Sequence, residues 1–186
     1  VFSWGISAIL LPGMSAIKSD RIRLAAAVLR VHQIVAFITF PIMAGAWALS
    51  DPLVLVVLGS QMQPVGQLLA ILSAVGAMQS LSSSHGPPFM AIGRADVLLR
   101  WSVVVNIVTL IAFLLGALWG AMGVATAYLI VNLILAPPGY FILFRLIGLS
   151  LLRFIKTLLP TTIAAIFMAV LVRLMADQLY RSGYDD

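Results

Sequence analysis

The stretch Val97–Leu118, VLLRWSVVVNIVTLIAFLLGAL, runs 22 residues with Arg100 as its one charged side chain. A second, AMGVATAYLIVNLILAPPGYFILF at Ala121–Phe144, follows two residues later with no charge at all. At 1.5 Å per residue the first is about 33 Å long as a helix, enough to cross the hydrocarbon core of a bilayer. Only Trp119 and Gly120 separate the two, so the pair reads as a transmembrane hairpin with a tight turn.

The same reading extends in both directions. Val1 to Pro12 reads as the tail of a span, and residues 13–24 as a loop holding Lys18, Asp20, Arg21 and Arg23. Leu24–Leu49 is a further apolar run, interrupted by Arg30, His32 and Gln33 near its start and by Pro41 and Gly45 near its end. Ser50-Asp51-Pro52 signals a helix start, a polar cap before proline. The short helix Leu53–Leu58 stops at Gly59, is too short to span and is expected to lie at the interface. Val65 to about Ala91 carries Gln67, Gln79, serines, His85 and the breaker Gly86-Pro87-Pro88. After Phe144 an amphipathic link, Arg145–Lys156, leads to the last run, Leu158–Leu179. The expected fold is all-α: a polytopic transmembrane helical bundle of about five full spans plus the tail of one, in a single domain.

Composition agrees. Of 186 residues, 62% are apolar and 9% charged, and mean hydropathy is +1.13. A soluble domain is nearer 25% charged, so a water-soluble enzyme and a nucleic-acid module are excluded. Eleven Lys and Arg face six acidic residues, all Asp. Lys18, Arg21, Arg23, Arg94, Arg100, Arg145, Arg153 and Lys156 fall in the loops at 13–24, 92–100 and 145–157, whereas the loops at 50–64 and 117–121 contain no Lys or Arg. By the positive-inside rule the first three face the cytoplasm and the other two the outside. Trp47 and Trp119 then sit near outer ends and Trp101 near an inner end, as interfacial aromatics do. The chain begins at Val1 with no basic n-region, so it does not read as a signal peptide. The expectation is a portion of a longer protein.

No catalytic set, paired carboxylates or metal spacing is visible, and no cofactor is expected. Cysteine is absent. His32 and His85 are far apart in sequence without a third ligand nearby. The informative residues are polar ones inside spans, because a mid-bilayer charge costs about 3 kcal/mol on insertion scales and such residues tend to face a protein interior or a watery cavity. Arg30, His85 and Arg100 all enter from the cytoplasmic side. If they converge they make a basic vestibule, in which arginine grips phosphate through two parallel hydrogen bonds. Alternatively Arg30 and Arg100 snorkel to lipid headgroups, and His85 is a satisfied polar residue beside a helix break. Gln79, Asn106 and Asn132 lie near mid-membrane, where amides either tie helices together or hydrogen-bond sugar hydroxyls. Arg173 and Asp177 form an i,i+4 pair near an outer end. Gly116, Gly120 and Gly123 make a small-residue stripe for close helix approach. Pro41, Pro87-Pro88 and Pro137-Pro138 bend helices, and Ser82-Ser83-Ser84 can satisfy carbonyls freed at the break.

Three stretches together carry a resemblance: Pro41-Ile-Met-Ala-Gly45 through Ser50-Asp51-Pro52 to Leu58-Gly59; Leu81-Ser-Ser-Ser-His85-Gly86-Pro87-Pro88 through Gly93-Arg94-Ala-Asp96 to Arg100; and Gly120-Ala-Met-Gly123-Val-Ala125-Thr-Ala127-Tyr128. In order and spacing they resemble the C-terminal half of the polysaccharide flippases, the Wzx/WzxC type of the MOP exporter superfamily. The resemblance implies a two-lobed bundle of twelve to fourteen helices around a central cavity. It implies export of undecaprenyl-pyrophosphate-linked oligosaccharide across the bacterial plasma membrane for lipopolysaccharide or exopolysaccharide synthesis. The implied partners are that lipid-linked oligosaccharide, membrane lipids, a separate N-terminal lobe, and a polysaccharide polymerase or glycosyltransferases. Candidate substrate-binding residues are Arg30, Arg100, His85, Gln33, Asn106 and Asn132. The alternatives are a multidrug or small-molecule antiporter of the same superfamily, a flippase of peptidoglycan precursors, or a non-transporting scaffold of a glycan-synthesis complex.

Overall fold

The computed structural model describes residues 21–182. The tail at 1–12, Lys18, Asp20, the chain end at Asp186 and the side chain of Asp177 lie outside the described residues. In chain order the elements are α1 (Arg21–Ala48), α2 (Ser50–Leu58), a short 3-10 turn (Ser60–Met62), α3 (Pro64–Ser82), α4 (Gly86–Ala91), α5 (Ala95–Gly116), a second 3-10 turn (Ala117–Trp119), α6 (Gly120–Ile147) and α7 (Leu151–Ser182). No strand occurs among the described residues.

Among the described residues four continuous stretches are long and apolar enough to cross a membrane: 21–48, 64–91, 95–147 and 151–176. That is one fewer than the five full spans expected. The difference lies in the 53-residue stretch Ala95–Ile147, which would be about 80 Å long if straight. It is instead folded back at Gly120, whose φ of 71° is open to glycine at little cost. Its two arms, α5 and α6, pack side by side. Gly116 and Gly123 face each other across the turn: a Cβ on Gly116 would lie 2.7 Å from the Gly123 carbonyl oxygen. This is the close approach expected of the small-residue stripe.

The local chemistry explains the other ends. α2 starts at Ser50, ahead of the expected Leu53, and its N-cap is Leu49, without a side-chain cap. One turn residue alone divides α1 from α2, so the Leu53 amide bonds the Leu49 carbonyl and Ser50 is already inside the helix. The helix breaks at Ser83–His85, ahead of Gly86-Pro87-Pro88. There Ser83 Oγ donates to the Ser80 carbonyl at 2.8 Å and Ser82 Oγ to Met78 at 3.3 Å, as the serine run suggested. The expected amphipathic link resolves into the end of α6, a left-handed Gly148 and the start of α7. The Leu149 amide closes that cap on the Phe144 carbonyl at 2.9 Å.

α1 packs against α3 and α7, α3 against α6, and α6 against α5. The directions follow from side-chain neighbours. His32 of α1 meets Phe154 of α7, and Trp47 and Val170 border one apolar pocket near their other ends, so α1 and α7 run parallel. Thr39 of α1 bonds Ser80 of α3 at 2.9 Å and Met43 lies against Gly76, so α1 and α3 are antiparallel. These directions agree with alternating crossings. The apolar core gathers at one end, where Leu24, Val28, Phe89, Leu143 and Ile147 are at most 1% exposed. Elsewhere large apolar side chains face outward, among them Val56 at 84% and Leu114 at 65%. Water would not tolerate that surface, and lipid is its natural solvent. The chain is a multi-pass membrane protein.

Candidate functional site

α5 packs on α6 and α4 and stands away from α3. The gap between α3, α5 and α6 is a cavity of about 680 Å³, within the range of small-molecule sites. Its walls follow helical spacing. On α5, Leu98, Trp101, Ser102, Val105, Asn106 and Thr109 face inward; on α6, Tyr128, Val131, Asn132, Leu135, Ala136 and Gly139; on α3 and the break, Gln79, three serines and His85. Among the described residues no Asp, Glu, Lys or Arg lines it.

Polar groups on the wall are held in place. Gln79 Nε2 donates to the Tyr128 hydroxyl, tying α3 to α6. Tyr128 also packs edge-on against Phe113 of α5, ring centres 5.1 Å apart. Asn132 Nδ2 donates to the Tyr128 carbonyl at 2.8 Å. Gln79 therefore serves both readings of a mid-membrane amide: it ties helices and it borders the cavity. Trp101 does not stand only at the interface. A Cβ on Gly139 would lie 2.9 Å from its indole Nε1, so the ring rests on α6 because residue 139 has no side chain. The wall thus pairs aromatic rings with amides and hydroxyls, the combination that stacks on apolar faces and hydrogen-bonds polar edges of one ligand.

Of the six candidate residues, the structure brings three to this cavity: His85, Asn106 and Asn132. Arg30 and Gln33 are exposed on α1, which contributes nothing to the lining. Arg100 is exposed on α5, one residue before Trp101 and turned off the wall. The expected convergence of Arg30, His85 and Arg100 into a basic vestibule is not formed, because about 100° per residue carries both guanidinium groups to outward faces of their helices. Trp101, Tyr128, Ser102 and Thr109 are wall residues that the sequence reading did not single out for this role. The i,i+3,i+4 recurrence of polar letters at 102, 106 and 109 was the available signal.

Two further features were also hidden in the sequence. Arg173 Nη2 of α7 reaches Asp51 Oδ2 of α2 at 3.1 Å, joining segments 122 positions apart. His32 and His85 have ring centres 6.0 Å apart, and Tyr140 lies edge-on to His85 at 4.2 Å. No group of three or more His, Cys or acidic residues suited to a metal occurs among the described residues.

With this geometry in view, comparison with known proteins is informative. A family described as "Polysaccharide biosynthesis protein" matches residues 2–67. The succinoglycan biosynthesis transport protein ExoT of Rhizobium meliloti is 27% identical over 173 residues, covering 92% of this chain and 35% of that protein. The chain is similar to proteins named for polysaccharide biosynthesis and its transport. The lipopolysaccharide biosynthesis protein WzxC of Escherichia coli is 25% identical over 177 residues, 90% of this chain and 36% of WzxC. The teichuronic acid biosynthesis protein TuaB of Bacillus subtilis is 24% identical over 144 residues, 77% of this chain and 30% of TuaB. The chain spans about a third of the length of these curated relatives. No solved structure matches it. The resemblance read from the three motif stretches and these relatives point to the same Wzx-type kinship.

Proposed function

We propose that these 186 residues form one lobe, the C-terminal one, of a flippase that carries lipid-linked oligosaccharide from the inner to the outer leaflet of a bacterial plasma membrane. The observation that carries this reading is the uncharged polar cavity between α3, α5 and α6, set in a bundle whose outer surface suits lipid. Relatives named for transport and synthesis of succinoglycan, lipopolysaccharide and teichuronic acid support the glycan class.

The sugar portion occupies the cavity. Sugar rings present apolar C–H faces, which Trp101 and Tyr128 can cover, and hydroxyls, which Asn106, Asn132 and the serines can pair. The undecaprenyl-pyrophosphate does not bind here, because no cation lines the wall. The lipid tail stays in the bilayer while the sugars move through protein. The neutral wall also disfavours an antiporter for cationic drugs, which calls for acidic and aromatic groups together.

The test is made in cells lacking the full-length gene. Lipid-linked oligosaccharide accumulates on the cytoplasmic leaflet while surface polysaccharide falls, and the full gene reverses both. Unchanged surface glycan without accumulation overturns the proposal.

A further inference from the structure

Behind the cavity wall, at the helix break, three hydrogen-bonding atoms are buried without partners: His32 Nε2, His85 Nε2 and Tyr140 Oη. They come from three different segments, α1, the 83–85 break and α6. His32 is 1% exposed and Tyr140 8%. Their rings form one cluster: His32 lies 6.0 Å from both His85 and Tyr140, and His85 lies 4.2 Å from Tyr140. Ser82 approaches the phenol, but no protein group completes a hydrogen bond to Tyr140 Oη.

The state of His32 follows from its one bond. Nδ1 lies 2.8 Å from the Val28 carbonyl, which can only accept, so Nδ1 carries the proton. In the neutral ring Nε2 is then a bare lone pair, and it lacks a donor. Buried polar groups in proteins are almost always satisfied, by protein or by ordered water. A buried water typically makes about three hydrogen bonds, and three orphaned atoms stand here. His85 is also a wall residue of the cavity, which gives water and protons a way in.

We propose that His32, His85 and Tyr140 enclose a hydrated proton-binding site, fed from the cavity through His85, whose occupancy sets how tightly the helix break packs on α1. A proton delivered to the cluster is shared between the two imidazoles through the bridging water and the phenol. A second proton brings like charges together and forces the break away from α1. The groups facing the site decide this. α1 offers His32, the break offers His85, α6 offers Tyr140, and α7 offers Phe154, whose ring lies 5.3 Å from His32. Arg30, Arg100, Arg145, Arg153 and Lys156 on the surrounding helices are exposed. Asp51 and Asp96 are paired with Arg173 and Arg94. Among the described residues no carboxylate is therefore positioned to neutralise a charged imidazole here, and the shared proton is held by the cluster itself.

This inference does not depend on the transported substrate, and its test reads the site directly. The full-length protein in lipid, labelled with ¹⁵N in histidine rings, is titrated from about pH 8 to about pH 3 by solid-state NMR. His32 starts with its proton on Nδ1, its Nε2 shows contact with water, and it titrates together with His85. His85→Asn moves the His32 midpoint by about one pH unit, the size expected of coupled sites. Tyr140→Phe keeps the ring and its packing, and moves the same midpoint. It decides the matter if His85→Asn fails to fold. A His32 ring that stays dry and neutral throughout, or a midpoint that Tyr140→Phe leaves in place, overturns the proposal.

Discussion

Replacing Gly116 with alanine tests the packing of the α5–α6 hairpin. The new Cβ would sit 2.7 Å from the Gly123 oxygen and 2.9 Å from both the Gly123 carbonyl carbon and Val124 Cα, all backbone atoms. No side chain can swing aside. To restore even a tight contact of 3.4 Å, the helices must part by about 0.7 Å at their closest point. Overpacking of this kind costs about 1–3 kcal/mol. Alanine in a helix returns up to about 1 kcal/mol of propensity. With that gain subtracted in full the net loss is about 0–2 kcal/mol, centred on about 1 kcal/mol, or roughly 5-fold in the folded-to-unfolded ratio. Gly45 is the control, since it is also helical and a Cβ there meets nothing within 4 Å. In thermal unfolding of the full-length protein in detergent, Gly116→Ala lowers the midpoint and Gly45→Ala holds or raises it. Equal midpoints for the two variants would refute the reasoning, because the hairpin would then not depend on backbone contact at residue 116.

Gly139→Ala presses on the Trp101 indole and pushes it from α6 into the cavity; tryptophan fluorescence shifts and glycan export falls, with little change in protein level. Arg173→Ala breaks the bridge to Asp51, but the two side chains are 38% and 48% exposed, so the loss is about 0.2–1 kcal/mol; exchanging the two residues restores it, as a double-mutant cycle on unfolding midpoints will show. A cysteine placed at Arg94 of the full-length protein reacts with an impermeant reagent in inside-out vesicles and not in intact cells; labelling in intact cells reverses the assigned orientation.

Helix positions were legible because the bilayer demands long apolar runs and the breakers stand between them. The hairpin at 97–144, the stop at Gly59 and the break ahead of Gly86-Pro87-Pro88 all followed from local chemistry. The Gly116–Gly123 contact was legible as well, since small residues at that spacing have few other uses in lipid. Hydropathy could not give the facing of individual residues. These helices are apolar nearly all round, and only the sparse recurrence of Ser102, Asn106 and Thr109 on α5 marks an inward side. That is why Arg30 and Arg100 drew attention by charge alone, while Trp101 and Tyr128 on the cavity wall did not. The Arg173–Asp51 pair and the approach of His32 to His85 depend on which helices are neighbours, and that order is not written in any one segment.

The most direct test of the cavity uses cysteines at Asn106 and Ile107 of the full-length protein, against a background without competing cysteines; this chain contributes none. Asn106 lines the cavity, whereas Ile107 is 53% exposed on the outer face of the same helix. A small water-soluble maleimide should modify position 106 and spare position 107, and added lipid-linked oligosaccharide should slow the reaction at 106. Equal labelling at the two positions, or labelling at 106 that the oligosaccharide leaves unchanged, would contradict a sugar-binding cavity between α3, α5 and α6.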